Sequence, residues 1–403
     1  MSKPYVCAVI GKGFGDEGKG MAVDFLSACH DKTLVIRHNG GAQSGHTVEL
    51  PDKRFVFHEL SSGSFRHADT LWANTYFPDL YKLEEEVVAF ETVAGFVPCI
   101  YAQPDTAVTI IDDVLLNMAA EEARGEHRHG SCGMGIYEAQ CRTEAGFAVT
   151  IGELLAWSKE QLVQRLLKIR SDYLPGRLAE LGLLETDLGE YGELLENTHV
   201  LENVAEEMLK NLKYIHVTTK VSALVADYDC VIFENGQGLL LDSENEMYSP
   251  HVTASRTGLT NPCEFLRSVH RELNEVIYVT RSYVTRHGAG PLPHESSPSA
   301  LGIWEEDRTN LENAWQGHLR YARHKAVQDF AKAVEVDLRN VTRCDLPMPK
   351  KTLLITHLNE TDNQVLCCDG KYSVEAFCSM EPMAKVFDSF LLSSTRFSQD
   401  IKE

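Results

Sequence analysis

Apolar residues run through this chain in two patterns, and their order predicts a layered architecture. Short continuous runs rich in β-formers fall at residues 5–10, 33–37, 230–233, 276–284 and 352–356. Runs of that kind predict buried strands, and their positions make one sheet collect pieces from both ends of the chain. Between residues 83 and 212 the spacing becomes mostly helical, with amphipathic stretches at 114–124 and 154–169 interrupted by the glycine-bearing segment 129–137. The expected fold is therefore α/β, a large and mostly parallel central sheet flanked by helices. A single domain over 1–403 would carry a mainly helical insertion at about 83–212.

Glycine clusters sit where the predicted strands stop. Residues 5–10 run into GKGFGDEGKG, residues 11–20, followed by mixed helical spacing over 17–29; residues 33–37 run into a second glycine-rich loop at 39–45. Strand ends are where α/β sheets bind ligands, so both loops are candidates for one site. The long loop RHGAGPLPHESSPSALG at 286–302 is of a length that is often functional.

Composition narrows the classes. The chain has 403 residues, 43% hydrophobic and 24% charged, an ordinary globular balance. Lys+Arg number 38 against 59 Asp+Glu, a net charge of -21 spread along the chain, which argues against a nucleic-acid or membrane-surface partner. Any phosphate must be held locally. Eleven cysteines, including the adjacent Cys367 and Cys368, form no CxxC pair, as expected of reduced thiols, and suggest no zinc site. No leader pattern and no apolar run approaching ~18 residues is visible, so a soluble, cytoplasmic protein is expected.

In the first loop, Gly13 to Lys19 fits the P-loop spacing G-x4-G-K, while Gly13, Gly15 and Gly18 fit G-x-G-x-x-G. Both readings share one physics: a glycine loop opening a helix aims bare N–H groups and the helix's positive end at an anion, and Lys19 adds charge. Gly20 breaks the ordinary P-loop, because a hydroxyl that would hold magnesium is missing there. Asp16 and Glu17 are unusual in a phosphate cradle, since carboxylates repel the ligand unless a metal or a protonated base compensates. In the second loop, HNGGAQSGHT at 38–47, His46 can donate a proton near neutral pH. The blander alternatives are a glycine turn that merely packs strand on helix and a loop histidine with no role.

These two loops together resemble the N-terminal signature loops of the adenylosuccinate synthetase family, GDEGKGK and GGxNAGHT. Further segments follow in order: FENGQGLLLD (233–242) is similar to EGAQGTLLD, YSPHVTAS (248–255) to YPYVTSS, TRHGAGPLPHE (285–295) to TRVGxGPFPTE, and GSCGMGI (130–136) more loosely to GTTGRGIG. The resemblance spans about residues 10–362. It implies a P-loop-NTPase-like fold and a Mg²⁺-dependent ligase that phosphorylates the 6-oxygen of a purine nucleoside monophosphate with GTP or ATP. An amino acid, aspartate in the family, then displaces the phosphate. Asp16 would take the N1 proton and, with the Gly45 carbonyl, hold Mg²⁺; His46 and Gln237 would bind the 6-oxygen. Gly15, Gly18 and Lys19 would hold the triphosphate, with Glu17, Gly20, Arg320, His357 and Asn359 on the same ligand. Gln43, Ser131, Cys132, Thr253 and His318 would contact the purine nucleotide, joined by Arg142 from a neighbouring subunit, which implies a homodimer. Without the family, Gln237 reads as a turn residue, Thr253 as a helix N-cap and Arg142 as a solvated helix residue paired with a glutamate.

The chain departs from the family at several places. Gln43 replaces an asparagine. The amino-acid loop TTGRxRRxGW corresponds to NAWQGHLRYAR at 313–323, where Gly317 and Arg320 persist but His318 replaces an arginine. The donor-base motif TKLD is THLN here, and the Asn359 amide offers N–H as well as C=O, a better match to adenine than a carboxylate. Phage relatives that make aminoadenylosuccinate with ATP also diverge there, but they replace the loop aspartate that this chain keeps as Asp16. The C-terminal GPxR signature is reduced to SSTRF around Arg396. Two rivals stand beside the ligase: a P-loop kinase or NTP hydrolase, which Gly20 speaks against, and a catalytically inactive nucleotide-binding paralogue, which retention of Asp16, Lys19, His46 and Gln237 speaks against.

Overall fold

The computed structural model describes residues 3–125, 128–304 and 317–403. Nine strands form one sheet: β1 (Tyr5–Gly11), β2 (Thr33–Arg37), β3 (Asp69–Trp72), β4 (Ile100–Ala102), β5 (Ile215–Val217), β6 (Cys230–Gly238), β7 (Glu275–Arg281), β8 (Lys350–Thr356) and β9 (Ser389–Leu392). Their spatial order is β9-β8-β7-β1-β6-β2-β3-β4-β5, and every pairing in the sheet is parallel. The strands from the two ends of the chain thus meet at its centre. Side chains of β1 alternate between two buried clusters, Val6, Ala8 and Ile10 on one face and Cys7 and Val9 on the other. Burial on both faces is why these strands read as unbroken apolar runs.

Helix α1 (Lys19–Ala28) follows β1, and α2 (Leu83–Ala94) precedes β4. Between β4 and its neighbour β5 come α3 (Ile111–Arg124), α4 (Ile136–Arg142) and further helices as far as Thr198–Asn211. The segment 83–212 is therefore not purely helical, since it contributes β4. The amphipathic stretch at 154–169 is two helices, Ile151–Ala156 and Lys159–Asp172, because Trp157 turns extended and the Ser158 side chain caps the second by accepting from the Gln161 N–H. Strand β6 runs past the expected residue 233 to Gly238, with its register against β1 broken between Val9 and Gly11. That bulge re-aims the side chains of 235–237. Among the described residues no helix is long and apolar enough to cross a membrane.

Candidate active site

Strands β1, β2, β6, β7 and β8 all release the candidate residues at their carboxyl ends, so loops far apart in sequence converge on one edge of the sheet. After β1 the backbone turns left-handed at Gly15, Asp16 and Gly18, with Gly18 the N-cap of α1. The turn does not leave its N–H groups free. Gly13 and Gly15 donate to Glu17 Oε1 at 3.0 and 2.9 Å, and Lys19 Nζ sits 2.7 Å from Glu17 Oε2. Burial opposes ionisation of Glu17, but Lys19 and these N–H groups outweigh it and hold the carboxyl below its ordinary range. Glu17, 4% exposed, does not line the cleft. In this structure the Glu17 carboxylate organises the loop from within and takes the Gly13 and Gly15 N–H groups.

Gly20 has a steric explanation. A Cβ there would lie 3.1 Å from His46 Cβ, from Ser62 Oγ and from the Thr47 carbonyl. The first turn of α1 packs directly on the second glycine loop, so the serine or threonine of an ordinary P-loop would fit only if His46, Ser62 or Thr47 gave way by a few tenths of an ångström.

Arg37, the last residue of β2, and Glu234, in the middle of β6, are register partners on adjacent strands, both buried and 3.6 Å apart. Glu234 accepts from His46 Nδ1 at 2.5 Å and also from the Ser62 hydroxyl and N–H. Burial works against this carboxylate, yet His46 and Arg37 hold it down, to about 2. A carboxylate against Nδ1 fixes the proton there, so Nε2 is the nitrogen left to address a ligand, with only the Gly236 carbonyl near it at 3.4 Å. Gln237 is set in the same way: Asn39 donates to Gln237 Oε1 at 3.1 Å, and Asn39 Oδ1 accepts from the Gly236 N–H at 2.9 Å.

These side chains open onto a cleft of about 1660 Å³. It is lined by Asp16, His46 and Gln237; by Gly15, Gly18, Lys19 and Gly20; by Gln43 and Gly45; by Ser131, Cys132 and Thr253; and by His357 and Asn359. Asp16 is a quarter exposed, lies 3.5 Å from His287 Nε2, and its carbonyl accepts from Arg281 Nε at 2.6 Å. Gln43 Oε1 is buried with no hydrogen-bond partner among the described residues, an acceptor left for a ligand. Ser131 is aimed from α3, where Asn117 takes its hydroxyl proton at 2.8 Å and buried Glu121 accepts the Gly130 and Ser131 N–H groups. Asn359 is exposed on the short helical turn Leu358–Thr361 after β8.

No group of three or more His, Cys, Asp or Glu side chains able to hold a metal occurs among the described residues. The hard oxygen of Asp16, which lines the same cleft as Gly45, nonetheless suits Mg²⁺, which needs only one or two carboxylates when phosphates and water complete its shell.

Three expected residues besides Glu17 are not presented to this cleft. Arg142 is fully buried: Nε and Nη2 bond Asp113 at 2.9 Å, Nη1 the Phe147 carbonyl and Nη2 the Val108 carbonyl, so within this chain it braces α4 against α3. Arg320 is clamped by both oxygens of Glu295 and by the Gly288 and Gly290 carbonyls, pinning the 286–295 loop. His318 is exposed and outside the cleft lining. Residues 313–316 of the amino-acid loop lie outside the described residues. Conversely, sequence reasoning missed Arg37, Asn39 and Glu234, whose only signal was charge and amide at the ends of apolar runs, and Asn117 and Glu121, which carried none.

Comparison with known proteins agrees with this geometry. A family model described as adenylosuccinate synthetase matches residues 8–321. The chain is 30% identical over 293 residues to adenylosuccinate synthetase of Desulfosudis oleivorans, covering 71% of this chain and 64% of that protein. It is 26% identical over 289 residues to the Buchnera aphidicola protein of the same name, covering 71% and 64%. The matched region thus spans less than two thirds of these relatives' own length. In fold it is similar to fully ligated adenylosuccinate synthetase from Plasmodium falciparum, with TM-score 0.71, 16% identity, and 99% and 100% of the two chains covered. It is also similar to cyanophage S-2L succinoaminodeoxyadenylate synthetase bound to dGMP and dATP, with TM-score 0.63, 14% identity, and 100% and 96% covered.

Proposed function

The chain belongs to the adenylosuccinate synthetase family, and from that premise we propose that it is a C–N ligase joining an amino acid, aspartate by family, to C6 of a 6-oxopurine nucleotide. One observation carries the reading: a carboxylate a quarter exposed (Asp16), an imidazole (His46) and an amide (Gln237) from three separate loops line one cleft beside the glycine turn. A purine 6-oxygen is a poor leaving group, and phosphorylating it lets an amine displace it. Asp16 takes the N1 proton, so that charge builds on the 6-oxygen. His46 Nε2 and Gln237 steady that oxygen as it attacks the γ-phosphate of the triphosphate, which Gly15, Gly18 and Lys19 hold once Lys19 leaves Glu17. Burial, with Arg37 and Lys19, holds His46 below its ordinary range, and Glu234 works against them in favour of the charged imidazole that a donating Nε2 requires. Asp16 and the Gly45 carbonyl would hold Mg²⁺, which supplies neutralisation of phosphate charge.

The donor is GTP or ATP, and Asn359 favours a base edge with both a donor and an acceptor. Eleven unpaired cysteines suit a reducing, cytoplasmic setting. A homodimer remains the family's expectation, although Arg142 no longer argues for it. The kinase reading is disfavoured by the tight space at Gly20, and the inactive-paralogue reading by the buried charges kept around His46. Incubation with Mg²⁺, GTP or ATP, aspartate, and hypoxanthine or guanine nucleoside monophosphate should yield a succinyl-nucleotide adduct by mass spectrometry. Triphosphate hydrolysis with no adduct from any combination would reject the ligase.

A further inference from the structure

Beside the glycine loop lies a second, smaller crevice of about 70 Å³. Phe14, Gly15 and Arg281 separate it from the large cleft by lining both. Five cationic side chains surround it, Lys12, Arg281, Arg323, Lys325 and Lys332, against the carboxylates of Glu17 and Asp329. Both carboxylates are already engaged, Glu17 by Lys19 and Asp329 by Lys332 at 2.6 Å. Lys12, Arg323 and Lys325 have no ion pair or side-chain hydrogen bond among the described residues; Lys12 Nζ only stacks on the Phe330 ring, 3.6 Å from its centroid. Lys12 is 9% exposed. Its burial pushes the amine down to about 8, and the charge of Lys325 acts in the same direction.

Collecting unpaired cations at one point is costly, and more so in a chain of net charge -21 with carboxylates to spare. The crevice is far smaller than the neighbouring cleft of about 1660 Å³, and its size suits a small oxyanion. We propose that this crevice is a second anion site, taking one small multiply charged oxyanion of the inorganic phosphate class. Its occupant meets Lys12 directly before the glycine loop and Arg281, whose Nε holds the Asp16 carbonyl. The site therefore braces the loop from behind. It stands independently of the ligase reading.

The glycine loop can itself take phosphate, so the test uses a Lys19→Met background. Equilibrium dialysis of the full chain against radiolabelled inorganic phosphate should show one phosphate per chain surviving in Lys19→Met. Adding Arg323→Gln with Lys325→Gln, both only half-buried, should weaken it at least roughly tenfold, as loss of charge-assisted bonds does. Lys12→Met in the same background should do likewise and guards against a folding failure in the other variant. Loss of all phosphate binding in Lys19→Met alone, or affinity unchanged by the added substitutions, would overturn the proposal. So would displacement by aspartate at concentrations where sulfate has no effect, which would assign the crevice to a carboxylate instead.

Discussion

The strand-end half of the cleft and the half built from α3, α4 and residues 286–304 and 317–323 treat their charges differently. At the strand ends, buried groups are paired so that one polar atom stays aimed at the cleft: Glu234 takes Nδ1 of His46 and leaves Nε2, and Asn39 takes one end of Gln237. In the other half the arginines are consumed. Arg142 closes on Asp113, Arg320 on Glu295, Arg170 on Asp112 and Arg177 on Glu138. A chain with 59 acidic and 38 basic residues neutralises most cations internally, so an arginine in a motif-like position is weak evidence for a ligand.

The largest expected effect tests the consumed half. Arg142→Met leaves Asp113 buried and uncompensated, and should cost ~3–5 kcal/mol in denaturant unfolding. Mixing it with Asp16→Asn should restore no activity. Rescue on demonstrated subunit exchange would return Arg142 to a neighbour's site and erase the contrast between the halves.

Next comes the strand-end half. Asp16→Asn keeps a left-handed residue that tolerates asparagine, so the unfolding midpoint should hold while turnover falls at least ~10²-fold, the scale of removing a general base. Turnover within a few-fold of the parent would take the base out of the mechanism.

The smallest effect concerns the rim. Asn359→Asp removes an N–H donor and supplies an acceptor for guanine's two donors, which should move ATP-over-GTP preference towards GTP by ~1–3 kcal/mol. Competing turnover of the two triphosphates measures it. A parent enzyme that prefers GTP, with that preference unchanged in Asn359→Asp, would make Asn359 a turn residue.

The same contrast explains what could be read from the chain. Residues 11–20 and 38–47 are contiguous, and both loops line the same cleft, so motif and geometry coincide. Strand 33–37 is found within the bounds its apolar run predicts, because burial on both faces writes itself into the sequence. Glu234 and Arg37 were hidden because their pairing depends on β6 lying beside β2, nearly two hundred residues away. The turn of Glu17 towards Lys19 was hidden because spacing cannot say which way a carboxylate points. The Asp113 partner of Arg142 and the Glu295 partner of Arg320 were hidden for the same reason, since packing of α3 and of the 286–295 loop fixes them.

The central claim is that the strand-end half phosphorylates a purine 6-oxygen rather than stopping at hydrolysis or kinase chemistry. Its direct measurement uses a purine nucleoside monophosphate carrying ¹⁸O at C6, turned over with triphosphate, Mg²⁺ and aspartate, followed by mass analysis of the inorganic phosphate. The account predicts that the label leaves the base and is recovered in phosphate. Unlabelled phosphate, with the ¹⁸O retained on the nucleotide, would contradict it.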